Sequence, residues 1–237
     1  MNTTDLLWFV WPWIGLGGGV VIIMLLFTDK LRSDLTKPRL HDVTWLSWAI
    51  AAAYLLHVCE EYGMHVTNGQ YDLITSFKAM GVDARFGGLA LGFFPFVNIM
   101  LTWVAMPVAA ALSKKHPVIG LSGIGFELLN GLTHIGGSAA MGMSISENGG
   151  FFTGVFLFIP LAVWTIIACK KGSLLPKKGI GIAMASGIIG HILLFALYII
   201  NMLFGHTAAY ICIPIVTFSP LIVAWLLSKV FHIKEAD

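Results

Sequence analysis

Along this chain the apolar residues neither alternate nor collect on one helical stripe. They run on for about twenty residues at a time between short polar breaks, the pattern of helices apolar all round. Seven runs reach the ~20 residues that a bilayer crossing needs: 6–27, 44–63, 87–112, 118–143, 151–169, 180–204 and 208–231. They predict an all-α, polytopic membrane helix bundle of about seven transmembrane helices in one integral domain, residues 1–237. The first run has no basic stretch before it and is long and glycine-rich, so it reads as a span and not as a cleaved signal. Its Gly15-x-x-x-Gly19 suits close helix contact.

The punctuation divides the spans into two kinds. Pro12, Pro95, Pro107, Pro160, Pro214 and Pro220 fall inside the odd-numbered runs, whereas Pro117 and Pro176 stand just before the fourth and sixth. Proline opens a helix well and disturbs its interior, so the second, fourth and sixth spans are expected to be the regular ones. Between residues 65 and 86, Tyr71, Ile74, Phe77 and Met80 recur about every three positions. That spacing fits either a short helix on the membrane surface or an ordinary interfacial loop.

Composition agrees with a membrane solvent: 57% of the 237 residues are hydrophobic, 11% are charged, and the mean hydropathy is +0.86. A soluble domain is excluded. The net charge of +2 resides in loops and implies no nucleic-acid partner; the partner is the lipid bilayer. Of the fourteen Lys and Arg, only Lys78 and Arg85 fall on one side of the expected topology. The positive-inside rule therefore places the N-terminus outside and the C-terminus in the cytoplasm, in a cell (inner) membrane crossed several times. Cys59, Cys169 and Cys212 form no metal or disulfide spacing and read as small apolar packers.

Against this background the polar residues inside the spans stand out. The second span ends in His57-Val58-Cys59-Glu60-Glu61, with both carboxylates within about 60° of the histidine on a helix. The fourth carries Glu127, Asn130 and His134 along one face, the third Asn98, and the sixth His191 near mid-depth. Ionisable groups in a bilayer are costly and persist there with a partner or a function. Imidazole and carboxylate together suit Zn, Fe or Mn, held between facing helices. His57, Glu60, Glu61, Glu127, His134 and His191 are the candidate ligands, with Asn98 and Asn130 behind them. Glu61 and Glu127 are the candidate catalytic bases. Two divalent ions with three carboxylates and a bridging hydroxide balance in charge. One ion would use three or four of the six residues, leaving a glutamate as base. A hydrogen-bonded His–Glu network without metal is the remaining alternative. No zincin motif, nucleophile elbow, P-loop or Glu-x-x-His di-iron signature occurs.

His57-Val58-Cys59-Glu60-Glu61 resembles the signature of the HXXEE family, small multi-pass membrane proteins of prokaryotes. The resemblance implies a shared site at His57, Glu60 and Glu61, with His134 or His191 as the family's second characteristic histidine. It supplies no reaction, since the family's function is undetermined. The residues themselves point to a metal-dependent membrane hydrolase or oxidoreductase with one or two divalent ions, acting on an apolar or lipid-like substrate. A metal-ion or proton transporter using the same cluster is the rival. A transport route needs polar residues at full depth, and the inner halves of the second and fourth spans offer few beyond Ser47 and Ser122.

Overall fold

The structure, a computed structural model, describes residues 3–65, 69–70, 93–142, 144–172 and 174–233. Among them are six helices long and apolar enough to cross a membrane, the make-up of a multi-pass membrane protein. They are α1 (Thr3–Leu26), α2 (Val43–Tyr62), α3 (Phe93–Leu112), α4 (Gly123–Met141), α5 (Phe151–Lys171) and α6 (Lys177–Val230). A two-residue antiparallel ladder after α2 pairs Met64 with Gln70 and His65 with Gly69. The expected surface segment with Tyr71, Ile74, Phe77 and Met80, residues 87–92 of the third run, and Lys78, Arg85 and Lys234 lie outside the described residues.

The sixth and seventh apolar runs form the single element α6, 54 residues long, which bends at Gly205. There the backbone adopts φ 81° and ψ 174°, open to glycine and not to other residues. The bend reverses the chain. A Cβ on Gly190 would lie 3.4 Å from Ser219 Oγ, although a straight helix would separate these positions by about 43 Å. Phe93 likewise packs on both Tyr198 and Tyr210, with ring centroids 6.0 Å apart in each case. The arms 177–204 and 206–230 therefore run antiparallel.

The basic end of the bundle is stapled. Buried Asp42 caps α2, accepting from the Trp45 amide at 2.9 Å. Its other oxygen accepts from the amides of Ser33 and Asp34 at 2.9 and 2.7 Å. Trp45 Nε1 donates to the Leu26 carbonyl and Trp164 Nε1 to that of Leu40, which draws the 27–42 loop across the ends of α1, α2 and α5. The hydrogen bond from Arg32 holds the Asp29 carboxyl below the usual carboxylate range.

Prolines leave their marks in only two of the four spans expected to be disturbed, since helix continues across Pro12 in α1 and across Pro214 and Pro220 in α6. Each π-helical stretch in the chain described, Ile99–Ala105 in α3 and Gly154–Phe158 in α5, ends just before a proline, Pro107 or Pro160. The wider turn accommodates the missing N–H and the bulk of the ring. α2 is regular throughout. The fourth span departs from expectation at its N-terminal end, where a one-turn helix, Pro117–Gly120, is separated from α4 at Leu121–Ser122.

Glycine sets the helix spacing. In α1, Gly19 leaves room for Leu55 of α2, whose Cβ would lie 3.2 Å from an added methyl. α4 and α6 meet backbone to backbone: a Cβ on Gly187 would collide with the Phe126 amide and the Ser122 carbonyl. α4 and α5 cross where Gly131 faces the Gly154 carbonyl. Around these crossings Leu46, Ile50, Tyr54, Leu101, Phe126 and Phe158 form the dry core. The cysteines are free, with Cys59 and Cys169 buried.

Gly187→Val should cost about 1–3 kcal/mol by overpacking, seen as a lower melting midpoint in detergent. Gly17→Ala, where nothing lies within 4 Å, should leave the midpoint unchanged or raise it.

Candidate metal centre

The centre forms where the C-terminal end of α2 meets the first turn of α5. The amides of Phe152 and Thr153 donate to Glu60 Oε1 and Oε2 at 3.0 and 2.7 Å. They belong to the first turn of α5, whose N–H groups have no partner within the helix. The Thr153 hydroxyl lies 2.6 Å from Glu60 Oε2 and 2.7 Å from His57 Nδ1. A hydroxyl has one proton and an ionised carboxylate can only accept, so Thr153 donates to Glu60 and accepts from His57 Nδ1–H. The network thus puts a proton on His57 Nδ1, and in the neutral ring this leaves a lone pair on Nε2.

A second network does the same for His134. Asn148, buried in the loop between α4 and α5, donates its amide protons to the His134 carbonyl and Ser138 Oγ, each at 2.7 Å. Its Oδ1 must then accept, and His134 Nδ1 lies 2.8 Å away. His134 therefore also carries its proton on Nδ1 and turns Nε2 inward.

Both Nε2 atoms face one oxygen. Glu61 Oε1 is 3.3 Å from His57 Nε2 and 3.5 Å from His134 Nε2. His57 Nε2 makes no hydrogen bond despite its distance from Glu61, so the approach lacks hydrogen-bond geometry. The three atoms lie within 4.8 Å of one another. With both histidines neutral, these three atoms are all acceptors, and a cation among them would remove their mutual repulsion; with a histidine protonated, the same contacts are His–Glu ion pairs. A tetrahedral ion with bonds of 2.0–2.1 Å spaces its ligands by about 3.3–3.4 Å, close to the two shorter edges. The residues fit a divalent ion with three protein ligands and one open position. That side faces a cavity of about 260 Å³, which His57, Glu61 and His134 all line.

Gly150 closes the other side. Its φ is 85°, and an added Cβ would lie 2.6 Å from His57 Cε1, 2.8 Å from His134 Cε1 and 2.9 Å from Glu61 Cγ. Both backbone and space require glycine there.

The other expected ligands are placed differently. Glu60 lies outside the three-atom group, its oxygens engaged by α5, and it acts by orienting His57. Glu127 is fully buried with neither oxygen hydrogen-bonded among the described residues. It shares a face with His134 but sits about 10 Å lower along α4, so a common face is not a common height. His191 lines the cavity with both ring nitrogens unpartnered and packs edge-on against Phe126, centroids 4.8 Å apart. Its arm meets α4 at Phe126, on the level of Glu127. Asn130 lines the cavity with Oδ1 unpartnered, and Asn98 donates to Tyr62 Oη at 3.2 Å and to the Phe94 carbonyl at 3.0 Å. Asn148, Gly150 and Thr153 were not legible as site residues. Their only signal is Asn148-Gly149-Gly150, a turn sequence before an apolar run.

A family model described as a protein of unknown function with an HXXEE motif matches residues 48–165. That stretch, which holds His57, Glu60, Glu61, His134, Asn148, Gly150 and Thr153, places the chain in the HXXEE family. No curated protein and no solved structure matches.

Gly150→Ala should lower the melting midpoint more than Gly142→Ala. Both positions are left-handed, with φ 85° and 65°, but Gly142 has nothing within 4 Å. The difference reports the collision with the three ligands. Equal midpoints would mean that only backbone strain is felt.

Proposed function

We propose that this HXXEE-family chain binds one divalent ion, Zn, Fe or Mn, at His57 Nε2, His134 Nε2 and Glu61, and works as a metalloenzyme on an apolar, lipid-like substrate. The observation that carries the reading is the convergence of three ligand atoms from His57, Glu61 and His134, with the Nδ1 side of each histidine engaged by a separate network that turns Nε2 toward Glu61. The ion would polarise a carbonyl or activate water or dioxygen, chemistry of a hydrolase or an oxidoreductase. The chain's own residues do the rest. Thr153 and Glu60 orient His57, Asn148 orients His134, and the charges of Glu60 and Glu61 balance one divalent ion.

We read α6 as two crossings joined at Gly205, which makes seven spans. Lys177 and Lys178 at one end and Lys229 at the other support this reading, because they bring both ends of α6 to the same side as the basic loops. The N-terminus is then outside, the C-terminus is cytoplasmic, and the site lies in the outer half of the membrane. An enzyme is favoured over a transporter because the inner half is dry. Ile50, Leu121, Ile124 and Ala105 are at most 1% exposed, and Ser122 is fully buried among them.

Purified protein should retain one of these metals at about one ion per chain, and His57→Ala, His134→Ala and Glu61→Ala should each abolish retention. Thr153→Val keeps the shape, removes the relay, and should weaken binding about 10–100-fold. His41→Ala should have no effect. Folded, metal-free protein indifferent to chelators would return the centre to a hydrogen-bond network.

Access separates the two functions. Ala52→Cys and Ser122→Cys should resist a water-soluble thiol reagent from both sides, while Met64→Cys should react from outside. Cytoplasmic labelling at Ala52 and Ser122, with uptake of the metal by proteoliposomes, would establish a transporter.

A further inference from the structure

We infer that the cavity beside His57, Glu61 and His134 takes an amphiphile with a small uncharged oxygen-bearing head and an aliphatic tail. It enters from the bilayer between α4 and the 177–204 arm of α6. The inference rests on the metalloenzyme reading above and names the substrate class.

The cavity mixes two chemistries. His57, Glu61 and His134 line it with their ligand atoms, and Phe93, Phe94, Val97 and Leu197 give it apolar wall, with Asn98 and Tyr198 beside them. Among the described residues no Lys or Arg lines it, and its one formal charge is the negative charge of Glu61. In the metal-loaded site Glu60 and Glu61 already offset the two charges of the ion. A phosphate or sulfate head would therefore bring an unbalanced negative charge into low-dielectric surroundings, with no Lys or Arg among the described lining residues to meet it. An alcohol, aldehyde or ester head avoids that penalty and still offers an oxygen to the centre.

The opening is set by residues that line the cavity while facing outward. Phe195 is 52% exposed, Thr133 is exposed, and Gly137 has nothing within 4 Å of an added Cβ. Phe195 lies about 27 Å along the helix from Lys177, within a hydrocarbon layer ~30 Å thick. The gap therefore faces lipid tails. At about 260 Å³ the cavity is smaller than most pockets enclosing a whole drug-sized ligand, which run ~300–1,000 Å³. A long aliphatic chain does not fit inside. Its head occupies the cavity, and its tail trails through the gap into the membrane.

The test uses the full chain in phosphatidylcholine vesicles with two photoreactive probes. One is hexadecanol bearing a diazirine close to its hydroxyl end; the other is the same diazirine-bearing chain ending in phosphate. The alcohol probe should crosslink saturably to peptides around Phe93–Val97 and Leu194–Tyr198, and unlabelled hexadecanol should compete. Gly137→Trp, which plugs the gap, should cut this labelling about tenfold with metal content unchanged. Gly137→Leu narrows the same gap with a smaller side chain and serves if the tryptophan variant does not fold. Equal labelling by the phosphate probe would overturn the uncharged head. Labelling confined to outward-facing residues, or unaffected by both Gly137 variants, would overturn the route. Metal-free protein with saturable, Gly137-dependent labelling would sink the metal centre and leave this binding site standing. Metal-loaded protein without such labelling would do the reverse.

Discussion

The end of the bundle opposite the basic loops depends on a buried carboxylate. Glu60 is 4% exposed at the end of α2, where an unpaired charge would be severely penalised. It is held by hydrogen bonds from the first turn of α5, 92 and 93 residues away in the chain. Hydrogen bonds to a charged group are worth about 1.5–3 kcal/mol each, and the start of α5 needs acceptors for its own N–H groups. Each partner removes the other's penalty, so the two helices dock in one register. That register brings Thr153 under His57 and leaves Nε2 free to face Glu61.

Precision at such a site requires helices that do not shift, and bilayer lipid supplies no hydrophobic drive to press them together. Contact at close range replaces it. Gly131 against Gly154 brings α4 to within backbone distance of α5, and His134 lies one turn above that crossing. Gly187 against Phe126 holds the 177–204 arm to α4 lower down. The π-helical stretches fall in α3 and α5, while the histidines and glutamates sit on α2, α4 and the first arm of α6. Rigid, regular helices thus carry the side chains that must stay in place.

The bundle also accommodates polar atoms that nothing satisfies. Tyr54 Oη, Asn130 Oδ1, both oxygens of Glu127 and both ring nitrogens of His191 are buried without a hydrogen bond among the described residues. Tyr54, Asn130 and His191 line the cavity, and Glu127 lies one turn below Asn130 on α4. Polar groups left bare in an apolar interior cost several kcal/mol, and these four residues gather at or just below the cavity. Ser122 Oγ and Thr165 Oγ1, away from it, are also buried without a hydrogen bond among the described residues.

Much of this was decided by local sequence. Apolar runs of about twenty residues can become only spanning helices, because every backbone group in lipid must bond internally. His57 and Glu61 are four apart on α2, so one helical turn brings them together, and they stand out because ionisable groups are rare in spans. Pro107 and Pro160 mark the two π-helical stretches for an equally local reason, whereas Pro12, Pro214 and Pro220 are absorbed without one. Tertiary structure decided which of the six candidate ligands share a height. The face of a helix follows from spacing, but its vertical offset from a neighbour follows from where glycines let backbones meet. That offset put His134 beside Glu61 and left Glu127 and His191 below. Asn148, Gly150 and Thr153 carry no periodic signal of their own, since their roles consist entirely of contacts made across the chain. The reversal at Gly205 was concealed for a related reason: its apolar flanks read alike on both sides, and only antiparallel packing against α3 and between the two arms distinguishes a hairpin from one long helix.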